Sequence, residues 1–344
     1  MNVTPQDKDS RNSPYVEIHV DSWAHAKEFL TKRSGDWIFR GQSDASRELS
    51  TTYEREIAPR FWEAVRYKLA QPRSEAARYW LPHYEQKLIE QFKKAAHLYI
   101  RDSRTPEHPL DWLALMQHYG VPTRLLDFTS SPYVASFFAF IGKQGGEKRA
   151  VWALEQWVSS GTAAEILAED EKLFSLILDD VPSLNWDTRS TRLDIDYLES
   201  PEFFDAFLRR ATLQGRKLIL PLTGYMMNDR MLVQQAILVM PTDLGSTFME
   251  NMAALTGLYA PGSTILYKLV IPSTERPIVL EDLYRMNITY GSLFPGLEGY
   301  ARSLADRIFL DFDPNTEKNR ISHWRGYFSG LKRPVVRDTD TEEP

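Results

Sequence analysis

The stretch between residues 117 and 131, QHYGVPTRLLDFTSS, holds the densest set of side chains that can do chemistry. It lies between the end of one predicted helix and the start of the next, so rigid elements hold both ends of a polar loop. Asp127 can pair with Arg124 or with Arg40, and the hydroxyls can bind a ribose or cap the following helix. The candidate site residues of this loop are His118, Tyr119, Arg124, Asp127, Thr129 and Ser131.

A second candidate lies at the end of a short, buried strand predicted over residues 37–39. A guanidinium such as that of Arg40 is costly there unless it meets an anion or a carboxylate. Gly41 allows a close backbone approach, and Gln42 completes the segment. A phosphate suits the planar guanidinium, which can bind it through two hydrogen bonds. A structural pair with a carboxylate is the alternative.

Two further segments lie late in the chain. Gln234 and Gln235 enter a predicted buried strand, where their amides need hydrogen-bond partners, and a satisfied strand end is the alternative to a binding role. Glu298 lies in the segment LFPGLEG, just inside a predicted helix start. The helix dipole favours a carboxylate at that position, so capping also explains Glu298.

Composition excludes several classes of site. The chain has 344 residues and no cysteine, which removes disulfides, thiolate metal sites and cysteine nucleophiles. It lacks the motifs GxGxxG, Walker A, HExxH and GxSxG, and its histidines show no metal-ligand spacing, so we expect no metal. A net charge of −6 argues against a generally cationic nucleic-acid binder. With no apolar leader and no apolar run of membrane-spanning length, we expect a cytoplasmic protein without membrane contact.

The pattern of apolar residues predicts a mixed α+β domain with inserted helical segments. Ser22 or Asp21 is the predicted cap of a first helix, and Ser131-Pro132 is a strong helix start. Helical inserts are expected at 54–104, which has eleven Lys/Arg and seven Asp/Glu, and at 159–210, which has five and twelve. Residues 1–14 are a predicted tail, and residues 311–344 a C-terminal extension and tail. The predicted strands are 37–39, 150–154, 217–220, 235–240 and 264–271.

Together these segments resemble the FRG-domain family, named for the triplet Phe39-Arg40-Gly41. The loop at 117–127, the paired glutamines and the segment LFPGLEG follow in the family's order. The resemblance therefore implies one FRG-like domain over residues 15–310, which is most of the chain. One mild departure is Ala236, where the family has glycine after the glutamines.

The resemblance implies a fold like that of the ADP-ribosyltransferases, a split mixed β-sheet that clamps NAD in a central cleft. By position, Arg40 would hold an NAD phosphate and residues 129–131 would support the nicotinamide ribose. Gln234 or Gln235 stands where that fold has a late acidic residue. A glutamine cannot act as a general base, so Asp127, His118 or Glu298 would replace it.

The function implied is transfer of ADP-ribose from NAD to RNA, DNA or protein, with release of nicotinamide and without a metal. The family implies a toxin or phage-defence effector, such as one that modifies RNA, with an antitoxin or regulatory protein as partner. The alternatives are a non-catalytic module that binds a nucleotide or partner, simple NAD hydrolysis, and nucleic-acid binding without chemistry. Aromatic residues within the basic insert suggest stacking on single-stranded nucleic acid, or simply the packing face of that insert.

Overall fold

The computed structural model describes residues 13–33, 35–65, 73–100, 105–142, 146–156, 169–181, 200–224, 228–257 and 264–310, with residues 159, 161, 163, 165, 166, 198 and 226. Its strands are β1 (Val16–His19), β2 (Trp37–Gln42), β3 (Leu126–Thr129), β4 (Lys148–Glu155), β5 (Ile219–Leu222), β6 (Ala236–Pro241) and β7 (Leu266–Pro272). These strands form one open sheet in the order β1-β7-β4-β2-β3-β6-β5. Only the pair β1–β7 is parallel, so the sheet is mixed.

Helices cover both faces of this sheet. They are α1 (Trp23–Thr31), α2 (Thr52–Val65), α3 (Arg73–Ala96), α4 (Pro109–His118), α5 (Pro132–Phe140), α6 (Glu171–Asp180), α7 (Pro201–Leu213), α8 (Asp229–Val233), α9 (Phe248–Thr256), α10 (Arg276–Arg285), α11 (Tyr290–Leu293) and α12 (Leu297–Leu310). The prediction of an α+β fold is therefore confirmed. None of the helices in the described part of the chain has the length and apolar character needed to cross a bilayer.

Strand β2 contributes to two separate cores because its side chains alternate between the faces of the sheet. Ile38 packs with residues of α4, α7 and α9 on one face. Phe39 packs with residues of α1, α5 and α10 on the other. Arg40 lies two residues after Ile38, so its side chain points to the same face of the sheet as that of Ile38, away from α5.

The two halves of the sheet meet at a single residue pair. Strand β2 pairs with β4 over six residues, whereas β2 and β3 pair only through Phe39 and Thr129. Strand β3 then continues along β6 from Leu126 to Thr129. Beyond the Phe39–Thr129 pair the two halves diverge, and Arg40 on β2 and Asp127 on β3 lie at the opening.

The third residue of the triplet, Gly41, must be a glycine because α5 crosses β2 at this residue. A Cβ atom on Gly41 would lie 1.9 Å from the carbonyl oxygen of Ala135 and 2.6 Å from the amide nitrogen of Ala139. These are backbone atoms of a buried helix, so they cannot turn aside. Helix α5 begins as predicted: the Ser131 side chain accepts from the Val134 amide, and Pro132 follows at the first helical position.

The predicted basic insert is helical, but it is tied into the core. Glu85 on α3 accepts from Nε of Arg124 at 2.8 and 2.9 Å and also pairs with Nη2 of that residue. Both side chains are buried. The Tyr53 hydroxyl on α2 donates to the Leu81 carbonyl at 2.6 Å, and burial raises the Tyr53 pKa. Pro82 lies within α3.

The structure adds two strands that the sequence analysis missed, β1 and β3, each of four residues. The second lies inside the segment that was predicted as a loop. The cap of α1 at Ser22 is as predicted, since its side chain accepts from the His25 amide. Of the acidic insert, α6 and most of α7 are described as helices, while residues 182–197 lie outside the described part. The predicted tails at 1–12 and 311–344 also lie outside it.

Replacing Gly41 by alanine should destabilise the protein, because β2 or α5 must move to make room for the new methyl group. We expect a loss of about 1–3 kcal/mol of unfolding free energy, measured by urea denaturation. Gly161→Ala is the matched control, since a Cβ there meets no atom within 4 Å. Equal stability of Gly41→Ala and the wild type would contradict the close approach of α5.

Glu85→Ala should leave the Arg124 guanidinium buried without its carboxylate, at a cost of about 3–5 kcal/mol of unfolding free energy. The double variant Glu85→Leu/Arg124→Met removes both charges and should recover much of that loss, again measured in urea. If the single and double variants were equally unstable, the buried charge would not be the cause.

Candidate functional site

A cavity of about 920 Å³ lies where the two halves of the sheet diverge. Strands β2 and β3, the ends of α2 and α4, and the region of α8 form its walls. It brings together a subset of the predicted site residues, which are Arg40, Gly41, Gln42, His118, Asp127, Thr129 and Gln234. Residues far apart in sequence therefore meet at one place.

Arg40 is a desolvated cation of this cavity. Its Nη1 donates to the backbone carbonyl of Asp127 at 2.5 Å, and no carboxylate of the described residues lies within ion-pair distance. Burial lowers the pKa of the Arg40 guanidinium, the Asp127 charge opposes this, and the Arg55 charge adds to it. The alternative of a structural Arg40–carboxylate pair is therefore absent from the described residues. A bound anion would stabilise the charged form of the desolvated Arg40 guanidinium.

Asp127 is held by a chain of short hydrogen bonds. Its Oδ1 accepts from Gln117 Nε2 at 2.6 Å, and Gln117 Oε1 accepts from the Thr123 hydroxyl at 2.6 Å. The Thr123 amide donates in turn to the Thr52 hydroxyl at 3.0 Å, at the start of α2. This chain fixes the carboxylate of β3 relative to the helix on the other wall of the cavity.

Sequence reasoning missed Glu54 and Arg55, which enter the cavity from the first turn of α2. The Thr51 hydroxyl accepts from the Glu54 amide at 3.1 Å, as in the pattern Ser/Thr-x-x-Glu that marks a helix start. That pattern could have located the helix turn but not the cavity beside it. Arg55 donates to the Ser50 hydroxyl at 3.1 Å and lies near enough to Arg40 to disfavour its charge.

The carboxyl group of Glu54 has an unusual environment. Burial raises its pKa, although it accepts from the Phe248 amide at 3.0 Å, an interaction that favours the charged form. Desolvation therefore outweighs this hydrogen bond and the nearby Arg55 charge. Glu54 is a carboxyl group that binds a proton more readily than a solvated one.

His118 lines both this cavity and a second one of about 580 Å³. Partial burial and the nearby Arg230 charge lower the pKa of His118, which keeps the imidazole neutral near physiological pH. Arg230, also missed from the sequence, lies in both cavities and stacks 4.4 Å from the centre of the Phe294 ring. Glu298 lies in the second cavity only, where it pairs with Arg302 at 2.8 Å.

The predicted ribose-binding hydroxyls already have structural partners. The Thr129 hydroxyl donates to the Gln234 carbonyl at 2.7 Å and accepts from the Ser131 amide. Ser130 donates to Gln235 Oε1 at 2.9 Å, and Ser131 caps α5. Of these, only Thr129 lines the cavity.

The paired glutamines also hold the structure together. Gln234 Nε2 donates to the Leu293 carbonyl at 2.9 Å, which links the segment just before β6 to the end of α11. Gln235 has a left-handed backbone with φ of 50°, a conformation that residues other than glycine rarely adopt. Gln42 is used at both ends of its amide, by Trp152 Nε1 at 2.8 Å and by the Glu48 carbonyl at 3.2 Å.

Arg124 and Tyr119 do not reach the cavity. Arg124 is buried against Glu85, so it is not available to a ligand or to Asp127 in this cleft. Tyr119 is exposed and its ring contacts that of His118, with centroids 5.1 Å apart. No group of three or more His, Asp or Glu side chains in the described ranges is arranged to hold a metal ion.

Comparison with known proteins supports the resemblance. Residues 35–148 match the family model of the FRG domain, a span that includes the triplet on β2, both helices of the basic insert and the loop with β3. No curated protein and no solved structure matches the chain significantly.

The raised Glu54 pKa predicts a pH-dependent cost to stability. Because the folded chain holds this proton more tightly than the unfolded chain, stability falls as pH rises from the ordinary carboxyl pKa through the raised one. Glu54→Gln removes the charge and keeps an acceptor for the Phe248 amide. The unfolding free energy of Glu54→Gln should therefore exceed that of the wild type by more at about pH 7 than at about pH 4. Glu298→Gln, which removes an exposed carboxylate, is the control, and an equal difference at both pH values would contradict the burial of Glu54.

Proposed function

Because residues 35–148 match the FRG domain, we propose that the protein transfers ADP-ribose from NAD to a macromolecule and releases nicotinamide. The observation that carries the proposal is the Arg40 guanidinium, desolvated at the opening of the sheet with no carboxylate of the described residues within ion-pair distance. A bound phosphate would supply the missing charge through two hydrogen bonds.

The other cations of the cavity fit a diphosphate. Arg55 and Arg230 line it together with Arg40, and the Arg55 charge raises the cost of the Arg40 charge. Two negative phosphates would relieve that repulsion. A cavity of about 920 Å³ is also at the upper end of ordinary small-molecule sites, as a dinucleotide requires.

The divergence of β2 and β3 supports an ADP-ribosyltransferase-like fold as part of this proposal. The family resemblance implies a split sheet with NAD in its central cleft. The single residue pair between the two halves and the cavity beside it are in accord with that implication. The FRG resemblance also favours a toxin or phage-defence effector in the cytoplasm, with a partner that controls it.

The chemistry would use charge rather than a metal. The bond between nicotinamide and the ribose C1′ breaks, and the electron pair leaves with nicotinamide. Asp127 would stabilise the positive charge that develops on the ribose, because its carboxylate is oriented by Gln117 inside the same cavity. The acceptor nucleophile then bonds to C1′ while neutral His118 takes its proton. The products are nicotinamide, an ADP-ribosylated acceptor and a proton.

A non-catalytic nucleotide-binding module is the second candidate. One observation favours it: the hydroxyls of residues 129–131 and the amides of Gln234 and Gln235 all make structural hydrogen bonds. These groups would then preserve the shape of a binding cleft instead of acting on a substrate.

Arg40→Ala should weaken NAD binding by about tenfold to a hundredfold, because a charge-assisted contact to phosphate is lost. Binding is measured by calorimetry, and turnover by release of nicotinamide from labelled NAD. Arg285→Ala is the control, since this exposed arginine pairs with Glu281 away from the cavity.

The two candidates give different results in that experiment. Nicotinamide release by the wild type, lost in Arg40→Ala, supports the transferase. Arg40-dependent NAD binding without nicotinamide release, in the presence of RNA, DNA and protein pools, supports the binding module. Unchanged NAD binding by Arg40→Ala would contradict both.

A further inference from the structure

The second cavity adjoins the proposed NAD cleft. The two cavities share three lining residues, His118, Asn228 and Arg230. The candidate base for the acceptor therefore lies on their common wall. A group that enters the second cavity would reach His118 through a different cavity from the one that holds the proposed NAD phosphate site, because Arg40 lines only the first cavity.

The segment LFPGLEG builds one rim of this second cavity as a rigid turn. Leu293 is buried, and the Phe294 ring packs against Phe138 and Tyr290 with centroids 6.1 and 5.2 Å apart. Gly296 has a φ of 109°, and a Cβ on Gly299 would lie 1.8 Å from the Phe294 carbonyl oxygen. Both glycines are therefore required by the backbone of this turn.

That rigid turn presents an apolar side chain to solvent. Leu297 is 81% exposed, although Leu293, which precedes the turn, is buried. Other large apolar side chains are exposed next to cavity-lining residues, and with Leu297 they form what we call the collar. The collar consists of Tyr119, Leu232, Val233, Leu297 and Tyr300.

The position of the collar follows from its neighbours. Tyr119 adjoins His118, and Leu297 and Tyr300 adjoin Glu298 and Gly299, all of which line the second cavity. Leu232 and Val233 lie one turn along α8 from Asp229 and Arg230. Exposed apolar side chains that adjoin the lining of one cavity in this way are typical of an interaction surface.

The charges of this surface favour a protein over a nucleic acid. The second cavity has two acidic residues, Asp229 and Glu298, and two arginines, Arg230 and Arg302. This balance offers no net attraction to a polyanion. Of the described residues, none on the basic helix α3 lines either cavity. Aromatic and apolar side chains with mixed charges are instead typical of protein interfaces.

We infer that the acceptor is a protein, which docks on the collar and inserts a nucleophilic side chain into the second cavity beside His118. This inference rests on the proposed transferase function. It assigns Leu297 to acceptor docking and excludes the basic helical insert from the acceptor site.

The test supplies radiolabelled NAD to the full-length protein with separate pools of cell protein, RNA and DNA. Label should appear on the protein pool, and Leu297→Asp should lower the ratio of protein label to released nicotinamide by at least about tenfold. Leu98→Asp is the matched control, because Leu98 is 63% exposed and lines neither cavity. It should leave this ratio unchanged.

Four outcomes would overturn the inference. Label on RNA or DNA instead of protein would retain the transferase and refute the protein acceptor. An unchanged ratio in Leu297→Asp would refute docking on the collar, as would a dimer in light scattering that Leu297→Asp converts to a monomer. If the wild type releases no nicotinamide with any pool, the proposed function fails and the inference fails with it.

Discussion

The single pairing of β2 with β3 is the constraint on which the rest of the structure depends. Two blocks of sheet, β1-β7-β4-β2 and β3-β6-β5, are joined only through Phe39 and Thr129. If the ladder continued, backbone hydrogen bonds would close the space in which Arg40 now lies. The Thr129 hydroxyl instead bonds to the Gln234 carbonyl and accepts from the Ser131 amide, which fixes β3 at the point of divergence. The cleft is therefore a property of the backbone.

Helix α5 supports this opening from the other face. It contacts the backbone of β2 at Gly41, and the Phe137 and Phe140 side chains on it fill the core that includes Phe39. Three consecutive residues thus have three roles: Phe39 joins the sheet and the core, Arg40 enters the cleft, and Gly41 admits the helix. The triplet can be so short because all three roles belong to neighbouring residues of one strand, β2.

Local signals in the sequence predicted the elements better than the contacts between them. The caps at Ser22 and Ser131 were predicted because they depend on neighbouring residues. Arg40 was identified as a site residue because a charged group at the end of an apolar strand is anomalous by itself. The four-residue strands β1 and β3 were missed, since so short a segment has no clear periodicity. The Arg124–Glu85 pair joins residues 39 positions apart, and nothing local distinguishes Arg124 from a ligand-binding arginine.

The matched family segment does not contain all the strands with which its own strands pair. Residues 35–148 contain β2 and β3 but end at the first residue of β4. Strand β3 hydrogen-bonds to β6, and β4 pairs with β7 as well as with β2; β6 and β7 both follow far later in the chain. Cut out alone, the segment would expose unpaired strand edges, which invite association with other chains. The recognisable signature and the unit that folds therefore have different boundaries. Recombination could exchange this cleft between proteins only together with the later strands.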